Sequence, residues 1–427
     1  VMKPTGKNVA PQDRAFGRRV QKYRKERGRT QAALAAALGK TSSWMSQVER
    51  GVQPVQRVDL LQQLADELGV SMGQLRPGAP ADLGKQSPAP ASLSLSNDLD
   101  ETRRLISGHP ALRTLLVSPA GIIKGKSGKE LRGDLEALRR DVNDLWELTH
   151  AGQLAQVSAL TVELLPELER AARMAGEQQH SELYLLLSRT YQALSAAFVR
   201  QDEADAAWVA ADRAVFAAER SGDPLHVSAS IFRMVQAFVR LRSLGQAEHA
   251  ARTAIDALEE QGSSSPPTLS VLGSLHLGLA LVHSRASARS KANEEIARAR
   301  EIAAQLGENR NDFNLEFGPV NVEIQAVSTA VELGDAGVAL DIGLTINADD
   351  LSSERQGRLL MDLGRAHAQR RHGSEALDCL LRAEAIAPEI VQTHKAARAT
   401  IHELVLVAGT NAPRELLELA ERADALD

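Results

Sequence analysis

The feature that most restricts what this chain can fold into is a residue spacing that recurs along much of its length. Counting back from Ala376, residues suited to a repeat of two helices fall at Leu360, Leu363, Gly364, His367, Ala376, Leu380, Ala383 and Pro388. A repeat of about 34 residues needs these offsets. Gly364 and Ala376 are small so that two helices can cross closely, Leu380 fills the next repeat's groove, and Pro388 stops the second helix. Weaker copies share the offsets at Ile231, Met234, Phe238, Ala247, Ala251 and Ala254, and at His276, Leu279, Ala280, Ala292, Ile296 and Ala299. A further pair over 183–220 has Ala207, Ala211 and Ala214 along its second helix, and 319–347 fits more loosely. The recurrence predicts an α-solenoid, in which each helix pair buries its apolar face against its neighbours. An ordinary bundle with Ala-rich seams is the alternative. The stretch 412–426 would be a capping helix.

Composition agrees with an all-α chain. Ala, Leu, Arg and Glu are prominent and lose little freedom in a helix, whereas aromatics make up 3%. No run of about 18 uncharged apolar residues is present, so no membrane partner is expected. The start lacks the apolar core of a secretory signal. The single cysteine, Cys379, has no Cys or His partner at metal-binding spacing. We therefore expect a cytoplasmic protein with no cofactor and no metal. The net charge of −5 is unevenly spread: residues 1–78 carry 14 Lys+Arg against 6 Asp+Glu, a net of +8, which leaves −13 on the remainder. A basic head on an acidic body suits a polyanion-binding module, with a solvated basic surface as the plainer reading.

Three segments follow from these patterns. Residues 14–76 form a compact helical unit, 77–98 a Pro/Ala/Ser-rich linker, and 99–427 the helical-repeat body. Within the body, LDETRRLI is a short helix, SPAGIIKGKSGKE a turn-rich interruption, and regular amphipathic helices start near Gly133.

The stretch Gln31–Arg50 has the internal logic of a helix-turn-helix. Ala35 sits where two helices cross, Gly39 takes the turn, and Met45 and Val48 anchor the second helix to the core. Phe16, Val20 and Tyr23 supply a preceding helix, Leu60, Leu61, Leu64 and Leu68 a fourth, and Val70 and Leu75 close the unit. Five helices are expected in all.

Through T-Q-x-x-L-A, S-Q-V-E-R-G and L-A-D-E-L-G-V-S, residues 14–76 resemble the phage-repressor/Cro-like (XRE) DNA-binding domain. In that geometry the second helix of the motif lies in the major groove of double-stranded DNA. Thr41, Ser42, Ser43, Ser46 and Gln47 would then face base edges, and Gln47 could pair bidentately with adenine. Thr30 and Gln31 would contact phosphate, as would Arg50 and Arg57 unless these are only solvated surface charges. Glu49 is expected to pair with an arginine inside the domain, because phosphate repels a carboxylate. Trp44 reads either as partial packing or as a stacking contact at the DNA edge. One copy offers few base-specific donors, so a homodimer on a pseudo-palindromic operator is expected.

The body resembles tetratricopeptide repeats, whose first helices line a concave groove. Setting the register with Gly364 puts Arg358, Met361, Arg365 and Ala368 on that face, with Phe232, Gln236, Ser274, Leu277, Asn321, Ile324 and Ser328 at matching positions. Arg358 and Arg365, two turns apart, either clamp the charge of a peptide or small carboxylate effector or pair with Asp362 and neighbouring acids. The segment 309–323 interleaves Asn311, Asn314 and Asn321 with Phe313 and Phe317. Its aromatics either plug a gap between repeats or wall an effector pocket. This head joined to this body resembles peptide-pheromone-receptor regulators and the XRE–repeat regulators of high-GC bacteria. The resemblance implies a transcriptional regulator whose body binds a signal, as in quorum sensing. The rival makes the body a protein-interaction scaffold without a small effector. No catalytic fingerprint is present, so no enzyme is expected.

Overall fold

The computed structural model describes residues 11–38, 40, 42–52, 55, 58–68, 70, 72–75, 99–108, 128–349 and 351–426. The linker 77–98, Gly39, Thr41, Arg57 and nearly all of SPAGIIKGKSGKE lie outside them. The fold is all-α, and the chain divides into two compact units, 1–95 and 96–427.

The first unit holds α1 (Pro11–Glu26), α2 (Gln31–Ala37), α3 (Ser42–Glu49), α4 (Val58–Leu68) and α5 (Met72–Leu75). Its core unites Phe16, Val20, Leu34, Ala35, Met45, Val48, Leu61, Leu64, Leu68 and Leu75, with Tyr23, Trp44 and Val70 partly buried against it. The apolar residues recur at three- and four-residue steps, so each helix turns one stripe inward. Gly17 has a role the spacing did not reveal. A Cβ there would stand 2.5 Å from the carbonyl oxygens of Val48 and Glu49, so α1 crosses α3 backbone to backbone.

The second unit begins with α6 (Asp100–Ser107) and continues as paired helices: α7 (Gly128–Ala151) with α8 (Leu154–Met174), α9 (Glu177–Arg200) with α10 (Ala204–Ser221), α11 (Pro224–Arg240) with α12 (Leu244–Gln261), α13 (Pro266–Arg285) with α14 (Arg289–Leu306), α15 (Pro319–Glu332) with α16 (Ala336–Gly343), and α17 (Ser353–Gln369) with α18 (Gly373–Ile386). Then come α19 (Pro388–Thr393), α20 (Lys395–Ala408) and α21 (Arg414–Arg422). Helices α7, α9, α11, α13, α15 and α17 each pack on the next as an inner row, and α17 in turn touches α20 and returns to α7. The small residues do what helix crossing requires: Ala207, Ala211, Ala214, Ala247, Ala251, Ala292, Ala299 and Ala376 are buried. One detail differs from the expected packing. Leu380 sits against Gly364 of its own pair, its Cγ 3.1 Å from where a Cβ would stand.

Helix ends follow local chemistry. Asp223 and Ser265 cap α11 and α13 through side-chain oxygens, each followed by proline in the first turn. Gly222, Gly262 and Gly307 end α10, α12 and α14 with positive φ. Among the described residues no helix is long and apolar enough to cross a membrane.

Candidate nucleic-acid interface and solenoid interior

In the head, α3 divides its residues by face. Met45, Val48 and Glu49 turn inward, Ser42 and Ser43 are exposed, and Ser46 and Gln47 are half-buried. Among the described residues, no hydrogen bond engages the side chains of Ser42, Ser43, Ser46 or Gln47 within the chain. Exposed Arg50 lays its Nε 3.2 Å from the Ser46 carbonyl, at the far end of the helix.

An ion pair holds α3 against α1. Arg24 Nε and Nη2 donate to Glu49 at 2.5 and 3.0 Å, Nη1 to the Arg29 carbonyl at 2.7 Å, and both side chains are buried. Glu49 is thus an internal partner, away from any phosphate. Burial pushes its carboxyl up, but the hydrogen bonds from Arg24 and Gln31 outweigh that and hold it below the ordinary range. Gln31, assigned to phosphate, places its amide Nε2 2.7 Å from Glu49. That hydrogen bond ties the start of α2 to the buried Arg24–Glu49 pair. Exposed Thr30 caps α2, its Oγ1 accepting from Ala33 N at 3.0 Å. Its hydroxyl has a local structural task at the edge of the same surface.

In the body, Phe232, Gln236, Ser274, Leu277 and Asn321 line one cleft together with Gln325 and Arg355. The repeat register thus brought three effector candidates, Phe232, Gln236 and Asn321, to a common place. The cleft measures about 30 Å³, room for roughly two waters. The Oδ1 of Asn321 is buried without a hydrogen-bond partner.

Other effector candidates serve the fold. Phe317 is 0% exposed and fills a notch over Gly273, where a Cβ would lie 2.0 Å from its ring. It plugs the gap between repeats and lies beyond a ligand's reach. Asn311 accepts from Glu316 N at 3.2 Å inside the loop. Asn314 contributes its backbone carbonyl, which accepts from Arg233 Nη2 at 2.7 Å. The paired-arginine clamp does not form, because the two side chains have different partners. Arg365 bridges Asp362 at 2.8 Å and Glu332 at 2.9 Å, whereas Arg358 Nη1 lies 3.2 Å from His394 Nε2.

The interior holds charged residues that sequence reasoning missed. Arg355 reaches Glu316 at 3.3 Å and Glu354 at 3.5 Å, and Arg200 reaches Glu354 at 3.6 Å across the returning inner row. Arg233 is buried, 5.2 Å over the Trp146 ring. Burial opposes ionisation of Glu354, but Arg355, Arg200 and Arg358 together hold its carboxyl far below the ordinary range. The available signal was an arginine beside concave-face positions: Arg233 sits next to Phe232, and Arg200 and Arg240 close their inner helices.

Residues 15–77 match a family described as a helix-turn-helix domain. No curated protein matches the sequence. The crystal structure of a Rap protein complexed with Competence and Sporulation Factor aligns at 15% identity and a TM-score of 0.42, covering 68% of this chain and 88% of that one. The protein thus carries an N-terminal helix-turn-helix domain on an all-α body of repeated helix pairs.

Proposed function

We propose that the chain is a sequence-specific DNA-binding transcriptional regulator of the phage-repressor/Cro-like class, whose helical-repeat body binds a signal that modulates the head. The observation that carries this reading is the two-faced character of α3. Met45, Val48 and the Arg24–Glu49 pair hold it to the domain, while Ser42, Ser43, Ser46 and Gln47 stay free of internal hydrogen bonds among the described residues. A short helix so held, with a polar N-terminal half, is what the major groove admits. The basic balance of the head supplies the sequence-independent attraction to phosphate. In this reading the protein works in the cytoplasm as a homodimer, with half-sites about one helical turn apart, and catalyses no reaction.

The test is selection of genomic fragments followed by titration of Gln47→Ala. The variant should lose about 1–3 kcal/mol, roughly 5- to 150-fold, on the selected operator and almost nothing on random DNA. Equal losses on both would remove Gln47 from the groove. Failure to select any fragment would end the regulator reading.

A further inference from the structure

Where the inner row returns on itself, arginines from three helices converge. Arg200 ends α9, Arg233 and Arg240 lie on α11, and Arg355 and Arg358 lie in the first turns of α17. Arg200 and Arg355 are joined through Glu354, and Arg233 feels the repulsion of both. Arg240 and Arg358 repel each other in the same way. Five guanidinium groups thus face Glu316, Glu354 and, at the rim, Asp202, which lies 3.6 Å from Arg240 and 3.7 Å from Lys395. The nearby acids Glu332 and Asp362 are already matched by Arg285 and Arg365. Burial holds His150 and His394 below their ordinary range, so neither adds charge near neutral pH.

The excess positive charge is met by weaker partners. Arg233 donates to the Asn314 carbonyl, Arg200 to the Thr149 carbonyl at 3.2 Å, and Arg355 to the Leu315 carbonyl at 3.5 Å. Arg233 is 4% exposed, yet its Nε has no hydrogen-bond partner. The loop lending two of those carbonyls has left-handed backbone at Phe313, Asn314 and Glu316, with φ of 53°, 57° and 50°. Cationic groups removed from water with too few counter-charges leave a deficit that a bound anion fills.

We propose that this cluster is the binding site of a compact ligand carrying two or more negative charges, phosphate or carboxylate, whose oxygens engage Arg233, Arg200 and Arg355. The assignment rests on the reading of the body as a signal-binding unit and names the chemical class of the signal. A compact ligand fits better than an extended peptide. The guanidinium groups of Arg200, Arg233 and Arg355 converge from three helices on Glu354 and the Asn314 and Leu315 carbonyls instead of running along a groove. A bridging anion ties α9 and α11 to α17 and strengthens the contact between the two ends of the inner row.

The experiment uses the full chain with pyrophosphate and citrate as probes, against sodium chloride at matched ionic strength. Each probe should raise the melting temperature of the body by several degrees beyond the chloride control. Arg233→Gln should abolish the shift, and any anion binding by the basic head remains visible in that variant as background. Glu354→Gln removes an internal competitor, so it should melt lower without ligand yet reach its full shift at a lower probe concentration. A merely structural cluster would not move in that direction. A shift with pyrophosphate alone assigns phosphate, and one with citrate alone assigns carboxylate. No shift with either, or a shift unchanged in Arg233→Gln, overturns the proposal. Operator binding on the same preparation separates the two readings. Protein that binds operator but ignores both probes loses only this site, and protein that binds a probe but no DNA loses only the regulator.

Discussion

Replacing Glu49 by Gln tests whether α3 is held by internal charge. The carboxylate accepts three hydrogen bonds, from Arg24 Nε at 2.5 Å, Arg24 Nη2 at 3.0 Å and Gln31 Nε2 at 2.7 Å. An amide in its place must turn its NH2 toward one of these donors, and Arg24 becomes a buried cation without a counter-ion. Removing one partner of a buried pair costs about 3–5 kcal/mol. Because the remaining carbonyl still accepts, we expect the low end, about 3 kcal/mol. At roughly 4–8 °C per kcal/mol for a domain of this size, scanning calorimetry should show the head melting about 12–24 °C lower. The transition of the body should stay in place. Below the new transition, operator affinity should be nearly unchanged, because Glu49 faces inward. Joint replacement, Arg24→Met with Glu49→Met, should cost less than Glu49→Gln alone, since it leaves no unpaired charge. Acid sensitivity offers a second reading of the same pair. The folded carboxyl titrates below its unfolded counterpart, so its contribution is full above a pKa of about 4.3 and fades as pH falls through the folded value. The Gln variant lacks that acid-side loss. A head transition lowered by less than about 4 °C, or operator affinity lost while the head is still folded, would refute the reasoning.

Two glycines provide further tests by urea unfolding. Gly273→Ala gains about 1 kcal/mol of helix propensity but drives a Cβ into the buried Phe317 ring. Overpacking near the top of its usual 1–3 kcal/mol range makes the net effect a loss of about 2 kcal/mol, which Phe317→Leu in the same chain should partly relieve; a raised midpoint would contradict the notch. Gly17→Ala meets two backbone carbonyls at 2.5 Å, so it should cost the head about 3 kcal/mol or more and lower operator binding together with head helicity. Gly245→Ala, which lies in a helix and meets nothing within 4 Å, is the control without a clash and should gain up to about 1 kcal/mol.

Much of the head and the register of the repeats could be read before any coordinates. Met45, Val48, Ala35 and the alanines of the second helices are buried because their spacing places them on one helix face. The same register brought Phe232, Gln236 and Asn321 to one cleft. It left two readings of Arg365 open, and the structure pairs that side chain with Asp362 and with Glu332 on the preceding inner helix. Partners on another helix, such as Glu332 for Arg365 and Glu49 for Gln31, lie where periodicity carries no information.

By itself, the order of residues determined which segments are helical, which stripe of each helix is buried and where adjacent helices cross. These depend on side chains three or four apart and on pairs joined by short turns. Only the tertiary structure decided that Gly17 admits α3, that Phe317 enters the notch over Gly273, and that Arg200 meets Glu354. The last two meetings depend on how much each helix pair rotates against the previous one. Small rotations, summed over the inner row, decide which distant turns face each other across the interior.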